Sequence, residues 1–224
     1  MGAQAMPLNN KVLQNLLKTL DLNKGIFMTG TDTDVGKTWV GCQIIKALRQ
    51  QGYNITPRKP VESGWNDDVT QTDAWKLANA ANKQHQLNVT CPNRFKTAVS
   101  PSRAAQLEGQ KISLAALKQQ CLNKVDSEQI LYVEGAGGFY SPLCQDGLNA
   151  DLCVALDLPV ILVAEDKLGC INHVLLSVEA IKKRGLLLSC IVLNQRQITE
   201  VETQQNNAQD LKNYLPDEII ISVG

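Results

Sequence analysis

Two kinds of apolar pattern alternate along this chain. The first is the short, near-continuous run: "GIFMTG" at 25–30, "NITPRKP" at 54–60, "QILYVEG" at 129–135, "LPVILVA" at 158–164 and "LLSCIVLN" at 187–194. Branched runs of this length predict strands buried on both faces, as in a parallel sheet. The second is the longer stretch with apolar residues every three or four positions: "TWVGCQIIKALRQQG" at 38–52, "DAWKLANAAN" at 73–82, "LAALKQQCLNKV" at 114–125 and "INHVLLSVEAIKKRG" at 171–185. These predict helices. Gly52 and Gly185 are read as stops, and Lys182, Lys183 and Arg184 suit the negative end of the last helix dipole. Strands alternating with helices imply right-handed crossovers and an α/β fold, a doubly wound, mostly parallel sheet flanked by helices. In residues 1–24, Leu13, Leu16, Leu17 and Leu20 recur at helical spacing and predict a short amphipathic helix in an N-terminal extension. Packing on the domain or on a neighbouring subunit is the simpler expectation for it than a membrane contact. Residues 25–224 then form one domain, with 60–105 its least regular part. Met6 is a possible natural start.

Composition narrows the class. Hydrophobic residues are 44% of 224, enough for a core, and 22 basic residues balance 22 acidic ones. A neutral chain carries no electrostatic footprint for nucleic acid or an anionic membrane, and its apolar runs are too short to span a bilayer. Seven scattered cysteines form no C-x-x-C pair, which suggests reduced thiols and no zinc site. With no signal-peptide pattern at the start, the expected location is the cytoplasm.

In a doubly wound sheet ligands bind beyond the carboxyl ends of the strands. The first loop there, "GTDTDVGKT" at 30–38, ends as a phosphate-binding loop does, with Gly36, Lys37 and Thr38. The strict pattern G-x-x-x-x-G-K-[ST] needs glycine at 31, where the chain has Thr31. A chance Gly-Lys-Thr is the bland alternative, but a strand precedes this loop and a helix follows it. Backbone N–H groups of 33–38, at a helix start carrying roughly half a positive charge, can receive phosphate. Lys37 would reach the β- and γ-phosphates and Thr38 a Mg²⁺ ion.

On the same rim, "RKPVESG" brings Lys59, a second ammonium suited to an anionic substrate beside ATP, with Ser63 and Gly64 after it. Asp73 opens a helix, where it could simply cap the end or hold a cation. "ILYVEGAGG" ends a strand in Glu134, as a Walker B segment does, and its glycines 135, 137 and 138 would admit a phosphate or base. Thr38, Asp73 and Glu134 supply the hard oxygens that Mg²⁺ takes. "DKLGCIN" at 166–172 is either a plain turn or a receiver of a carboxylate. Asn194 ends a strand where an amide could pair with adenine. No N-K-x-D segment is present, so ATP is expected over GTP. His85 is read as a surface residue and His173 as a helix residue.

"TGTDTDVGKT", "KPVESG", "VEGAGG" and "LPVILVAEDKLGCINH" resemble, in that order and spacing, the dethiobiotin synthetase family over about residues 25–215. That family's own phosphate loop also places its glycine as this one does. The resemblance implies a phosphate-loop NTPase-like fold and a homodimer with its active site at the interface. It implies an ATP- and Mg²⁺-dependent reaction of CO₂ (or bicarbonate) with 7,8-diaminononanoate in biotin synthesis, through a carbamate and a carbamic–phosphoric anhydride. It assigns Lys37, Lys59, Thr33 and Ser63 to catalysis, and Lys59 and Ser63 also to the substrate. Asp34, Val35, Gly36, Lys37, Thr38, Asp73, Glu134, Gly135, Ala136, Gly137, Asn194 and Gln195 would bind the nucleotide and its metal, with Thr38, Asp73 and Glu134 as metal ligands. Gly169, Cys170, Ile171 and Asn172 would receive the substrate's distal carboxylate.

The chain departs from the family pattern in several places. Asp34 stands where a longer Glu is common, Ser102 where His often follows "SP", and Gln195 where Asp is frequent. The chain reaches "DEIIISVG" without the loop and helix that help enclose adenine, which implies a weaker preference for ATP over other triphosphates. Two rival readings share the fold. A partitioning-type ATPase switch would carry an extra lysine early in the loop, where residues 30–34 are Gly-Thr-Asp-Thr-Asp. An amidoligase on a cofactor precursor would bring a glutamine-hydrolysing domain.

Overall fold

A computed structural model describes residues 9–195 and 206–224 of the chain; Met6, the possible start, lies outside them. The first half runs α1 (Asn10–Leu17), β1 (Ile26–Gly30), α2 (Lys37–Gln50), β2 (Asn54–Arg58), β3 (Val61–Ser63), α3 (Asp73–Ala80), α4 (Leu87–Thr90), β4 (Asn93–Phe95), α5 (Pro101–Leu107) and α6 (Leu114–Leu122). The second half runs β5 (Gln129–Gly138), β6 (Pro142–Cys144), β7 (Gly147–Leu148), α7 (Asn149–Leu156), β8 (Val160–Glu165), α8 (Cys170–Lys183), β9 (Leu188–Asn194), α9 (Asn207–Tyr214) and β10 (Ile220–Val223).

Among the described residues one six-stranded sheet has the order β10-β9-β8-β1-β5-β2, and each of its neighbouring pairs is parallel. The doubly wound architecture expected from the pattern is therefore present. Alternation within each strand divides the core in two. Ile26, Met28, Ile130, Tyr132, Ile161, Val163 and Val192 face α1, α2 and α3. Phe27, Leu131, Val133, Val160, Leu162, Ile191 and Leu193 face the other layer, built from α5 to α9. Both faces are covered, which is why the strands read as continuous apolar runs.

Helix α2 is the main prop beneath the site. Val40, Ile44, Ile45 and Leu48 are fully buried along one stripe, each contributing on the order of 1.5–3 kcal/mol by leaving water. Helix α1 packs on α2 and β10 through buried Leu16 and Leu17, so the amphipathic stretch in residues 1–24 is folded onto its own domain. Segment 60–105 is not without order: β3 and β4 pair in parallel, and α3, α4 and α5 flank them.

Sheet order decides the site. β1 lies between β5 and β8, with β2 beyond β5. The loops after β1, β2 and β5 thus open side by side at the carboxyl rim, the topological switch region.

Candidate active site

The ladder between β1 and β8 continues one residue past Gly30, since Thr31 N–H bonds Val163 O at 2.9 Å. The chain then turns back on itself, and this explains the shifted glycine. A Cβ on residue 30 would sit 2.8 Å from Val35 Cγ2 and 2.9 Å from Asp32 O. The loop needs a glycine at 30 for close packing, whereas Thr31, just past β1, is still tied to β8 by its N–H. Lys37 Nζ closes the loop by donating to Asp32 O at 2.8 Å. Thr33 is exposed, its N–H bonded to Asp32 Oδ1 at 2.7 Å. Asp34 takes a left-handed φ of 55°. Gly36 is left-handed too, at 94°, and is the N-cap of α2 without any side-chain cap. The first turn of α2 therefore starts at Lys37 and Thr38 as an anion site requires.

Four elements, α2, β2, α3 and β5, deliver the polar cluster. Thr38 Oγ1, in the first turn of α2, donates to Glu134 Oε1 at 2.7 Å. Lys59, the residue after β2, donates to the same Oε1 at 2.6 Å and to Asp73 Oδ2 at 3.1 Å. Asp73, the first residue of α3, faces the Thr38 hydroxyl as well. Thr38, Lys59, Asp73 and Glu134 thus meet as the sequence suggested. The capping alternative for Asp73 does not hold: Thr72 is the N-cap, its hydroxyl accepting Trp75 N–H. Glu134 and Lys59 are almost wholly buried, with 0% and 4% exposure, so their charges interact through little water.

Charge at the site follows from this geometry. Burial works against the Lys59 ammonium, but Glu134, Asp73 and Glu62 outweigh it and raise its pKa. Lys37 goes the other way, lowered to about 8 by burial and then by the positive charge of Lys59, with Glu134 and Asp73 opposing. Burial alone would raise Asp73, yet Lys59 beside it holds the carboxyl below its ordinary value. Lys59 is a fixed cation at neutral pH, while Lys37 is eased by any phosphate brought to it.

The remaining expected residues fall in four places. In "VEGAGG" the glycines find their neighbours inside the chain. A Cβ would meet Asn149 Oδ1 at residue 135, Ser141 Oγ at 137 and Thr31 O at 138, at 2.6, 2.6 and 3.0 Å. The chain's own packing therefore requires a small residue at each of these positions. Ala136 is clamped by Asn149, which accepts its N–H at 3.0 Å and donates to its carbonyl at 2.6 Å. Ser63, half-buried, ends β3 beside Phe95.

Asn194 ends β9, 4% exposed, and its Nδ2 donates to Val35 O at 3.0 Å. A Cβ on Gly36 would lie 2.0 Å from that nitrogen. Asn194 thus braces the phosphate loop itself, and Gln195 N–H bonds Val223 O at 2.7 Å. At the start of α8, Gly169 is a left-handed N-cap without a side-chain cap. Cys170 N–H is already bonded to Lys167 O at 3.0 Å. His85 and His173 are exposed.

Three residues at the site escaped the sequence reading. Tyr132 is fully buried and donates to Glu134 Oε2 at 3.3 Å; Gly41 of α2 makes room for it, since a Cβ there would lie 2.0 Å from the phenol oxygen. The signal was available, because residues two apart on a strand share a face. Glu62 accepts Asp73 N–H and Ala74 N–H at 2.8 and 2.9 Å. Asn149 had no motif to announce it.

Elsewhere, a concavity of about 380 Å³ lined by Asn23, Lys24, Leu122, Asp126 and Gln129 opens at the amino end of the sheet, away from this chemistry. All seven cysteines are free thiols. Among the described residues no helix is long and apolar enough to cross a membrane.

Known proteins are similar to this chain over most of its length. Residues 24–223 match the family described as "AAA domain". A protein of Anaeromyxobacter sp. (strain Fw109-5), named ATP-dependent dethiobiotin synthetase BioD, is 42% identical over 172 residues, 77% of each chain. Bearers of the same name from Ruthia magnifica subsp. Calyptogena magnifica and Rhodopirellula baltica are 37% and 32% identical, over 85% and 88% of this chain and 87% and 82% of their own. With a phosphate loop on β1, an acid on β5 and a lysine after β2 at one rim, the chain belongs to the ATP-dependent dethiobiotin synthetase family.

Proposed function

We propose that the protein is an ATP-dependent ligase of biotin biosynthesis that joins CO₂ to 7,8-diaminononanoate and closes the ring to dethiobiotin. The observation that carries this reading is the buried Lys59 ammonium bridging Asp73 and Glu134 beside Thr38. A simple nucleotide switch has no need of a second buried lysine facing the phosphate loop from another strand.

In this reading one amine of the substrate adds to CO₂ and loses a proton, giving a carbamate. Lys59, with Ser63 next to its loop, holds that anion. A carbamate oxygen then attacks the γ-phosphorus of ATP and ADP leaves; Lys37 and the amides of the α2 start stabilise charge on the transferring group. The second amine attacks the carbamoyl carbon, phosphate departs with its electron pair, and the ring closes. Thr33, Asp34, Val35 and Gly36 wrap the phosphates, and Glu134 with Gly135, Ala136 and Gly137 forms the opposite wall. Asn194 and Gln195 lie on the nucleotide side.

The Thr38 hydroxyl and the Asp73 and Glu134 carboxylates are a donor set that suits Mg²⁺, which prefers one or two carboxylates completed by phosphate oxygens and water. Bound there, the ion would neutralise charge on the β- and γ-phosphates. The start of α8, at Gly169, Ile171 and Asn172 with Cys170 behind them, would take the distal carboxylate. A homodimer that closes the site across α8 is in keeping with Leu168, 84% exposed, and the exposed Leu176. The reaction would take place in the cytoplasm.

Phosphate release tests the reading. It is expected to require diaminononanoate and bicarbonate together. Release that proceeds without the diamine, or that needs glutamine or a protein partner, would overturn it in favour of an amidoligase or a partitioning ATPase.

A further inference from the structure

Glu62 has no task in the reaction just described. It lies on β3 with 9% exposure, and a carboxylate is seldom taken so far from water unless its oxygens are engaged. Both are engaged. Oε1 accepts Asp73 N–H at 2.8 Å and Oε2 accepts Ala74 N–H at 2.9 Å. These are the first two amides of α3, which no carbonyl within the helix can reach. The third, Trp75 N–H, goes to Thr72 Oγ1 at 3.2 Å.

The helix already has its own cap in Thr72. The carboxylate from β3 adds something a local cap cannot, a fixed relation between the start of α3 and the strand beside Lys59. Asp73 is the first residue of that turn, and its Oδ2 lies 3.1 Å from Lys59 Nζ. Ser63 directly follows Glu62, so one short strand sets both the substrate hydroxyl and the turn that carries the acid.

We propose that Glu62 is a positioning residue: by pinning the first two amides of α3 to β3 it holds the Asp73 carboxylate in register with Thr38 and Glu134, so that metal affinity depends on a side chain that does not touch the metal. The inference rests on the metal role proposed above for Asp73.

The test is Mn²⁺ binding to the full chain with ADP, followed by electron paramagnetic resonance, without the diamine. The proteins are the wild type, Glu62→Gln, Asp73→Asn and the double variant. Glutamine keeps the shape of Glu62 but turns an NH₂ toward one of the two amides, replacing a charge-assisted bond by a donor–donor contact. Glu62→Gln is expected to weaken Mn²⁺ binding about tenfold, the scale of one charge-assisted hydrogen bond. In the Asp73→Asn background the same change is expected to add less than about twofold, because there is no carboxylate left to position. Glu62→Ala, which frees both amides to water, should repeat the pattern.

A role in stability alone would lower the unfolding temperature in both backgrounds and leave Mn²⁺ affinity where it was. That result, or an equal loss of affinity in both backgrounds, overturns the proposal. A wild type that binds no Mn²⁺ with ADP overturns the metal reading and this inference with it. Intact wild-type binding with an unmoved Glu62→Gln overturns the inference alone.

Discussion

Helices α2 and α3 both begin at the rim where the polar cluster is built, and their first turns are finished in opposite ways. α2 starts behind a left-handed glycine that offers no side chain. α3 starts behind Thr72 and receives in addition the Glu62 carboxylate, so that Asp73, Ala74 and Trp75 N–H all have acceptors from the chain itself. The same division recurs on the other side of β1. α8 begins behind Gly169, without a side-chain cap, whereas the first two amides of α7, Asn149 and Ala150 N–H, bond Ser141 O and Phe139 O at 3.1 and 3.0 Å, and Asp151 turns back to accept Leu148 N–H at 2.8 Å. Every helix start has donors that must be met. Where the chain meets them with its own atoms, it fixes geometry; where a glycine stands at the cap, the function proposed above puts an anion. On this view α2 and α8 are the receiving ends, and α3 and α7 are the rigid ones.

Lys59 joins an open end to a closed one, since it bonds both Asp73 on α3 and the Glu134 that holds Thr38 on α2. Its removal should give the largest effect. Lys59→Ala is expected to lower diamine-dependent turnover by at least ~10²–10³, the usual cost of one preorganised charge contact. Binding of ATP, which rests on the α2 start, should persist. Near-normal turnover in that variant would refute the assigned role, and loss of ATP binding would show that the two ends are not separable.

A smaller effect should come from closing the open end. In Gly36→Ala the new Cβ lies 2.0 Å from Asn194 Nδ2 at a φ of 94°, and strain of this kind costs on the order of 1–3 kcal/mol. ADP affinity by calorimetry is expected to fall about ten- to a hundredfold. Gly169→Ala is the control. Its φ is similar, 89°, but nothing lies within 4 Å of the added carbon, and it starts a different helix, so ADP affinity should stay within about twofold. Equal losses in the two variants would remove the distinction between the two receiving ends.

The contrast also marks what could be read without coordinates. Strands such as "LPVILVA" and helices such as "TWVGCQIIKALRQQG" were legible because burial on both sheet faces, or on one helix stripe, writes a period into the sequence. The phosphate loop, Lys59 and Glu134 were legible because chemistry fixes their residue types and strand ends fix their place. The closed ends were not. Glu62 reaches α3 from eleven residues away, and Asn149 clamps Ala136 from thirteen; pairings at that distance leave no local spacing to find. The edge strand β10 and the small β3–β4 pair also passed unrecognised, because a strand of three or four residues is too short to show a period. The packing of glycines 135, 137 and 138 against Asn149, Ser141 and Thr31 was not legible either, since a missing side chain does not say which of the protein's own atoms fill the space.

The closed end of α7 yields the smallest effect and a pH signature. Asp151 Oδ1 pairs with Arg184 Nη1 at 2.5 Å, and its other oxygen accepts Leu148 N–H. Burial would raise its pKa, but the backbone bond and Arg184 together hold it below the ordinary value of 3.8. A carboxyl with a depressed folded pKa stabilises the fold fully above its unfolded pKa and loses that contribution as pH falls through the folded one. Both groups are partly solvated, so the pair and cap together are worth about 1 kcal/mol. Asp151→Asn should therefore unfold at lower urea than the wild type at pH 7, and the gap should shrink as pH drops below about 4. A gap that is the same at pH 7 and pH 3 would mean that the side chain's shape, not its charge, finishes this helix.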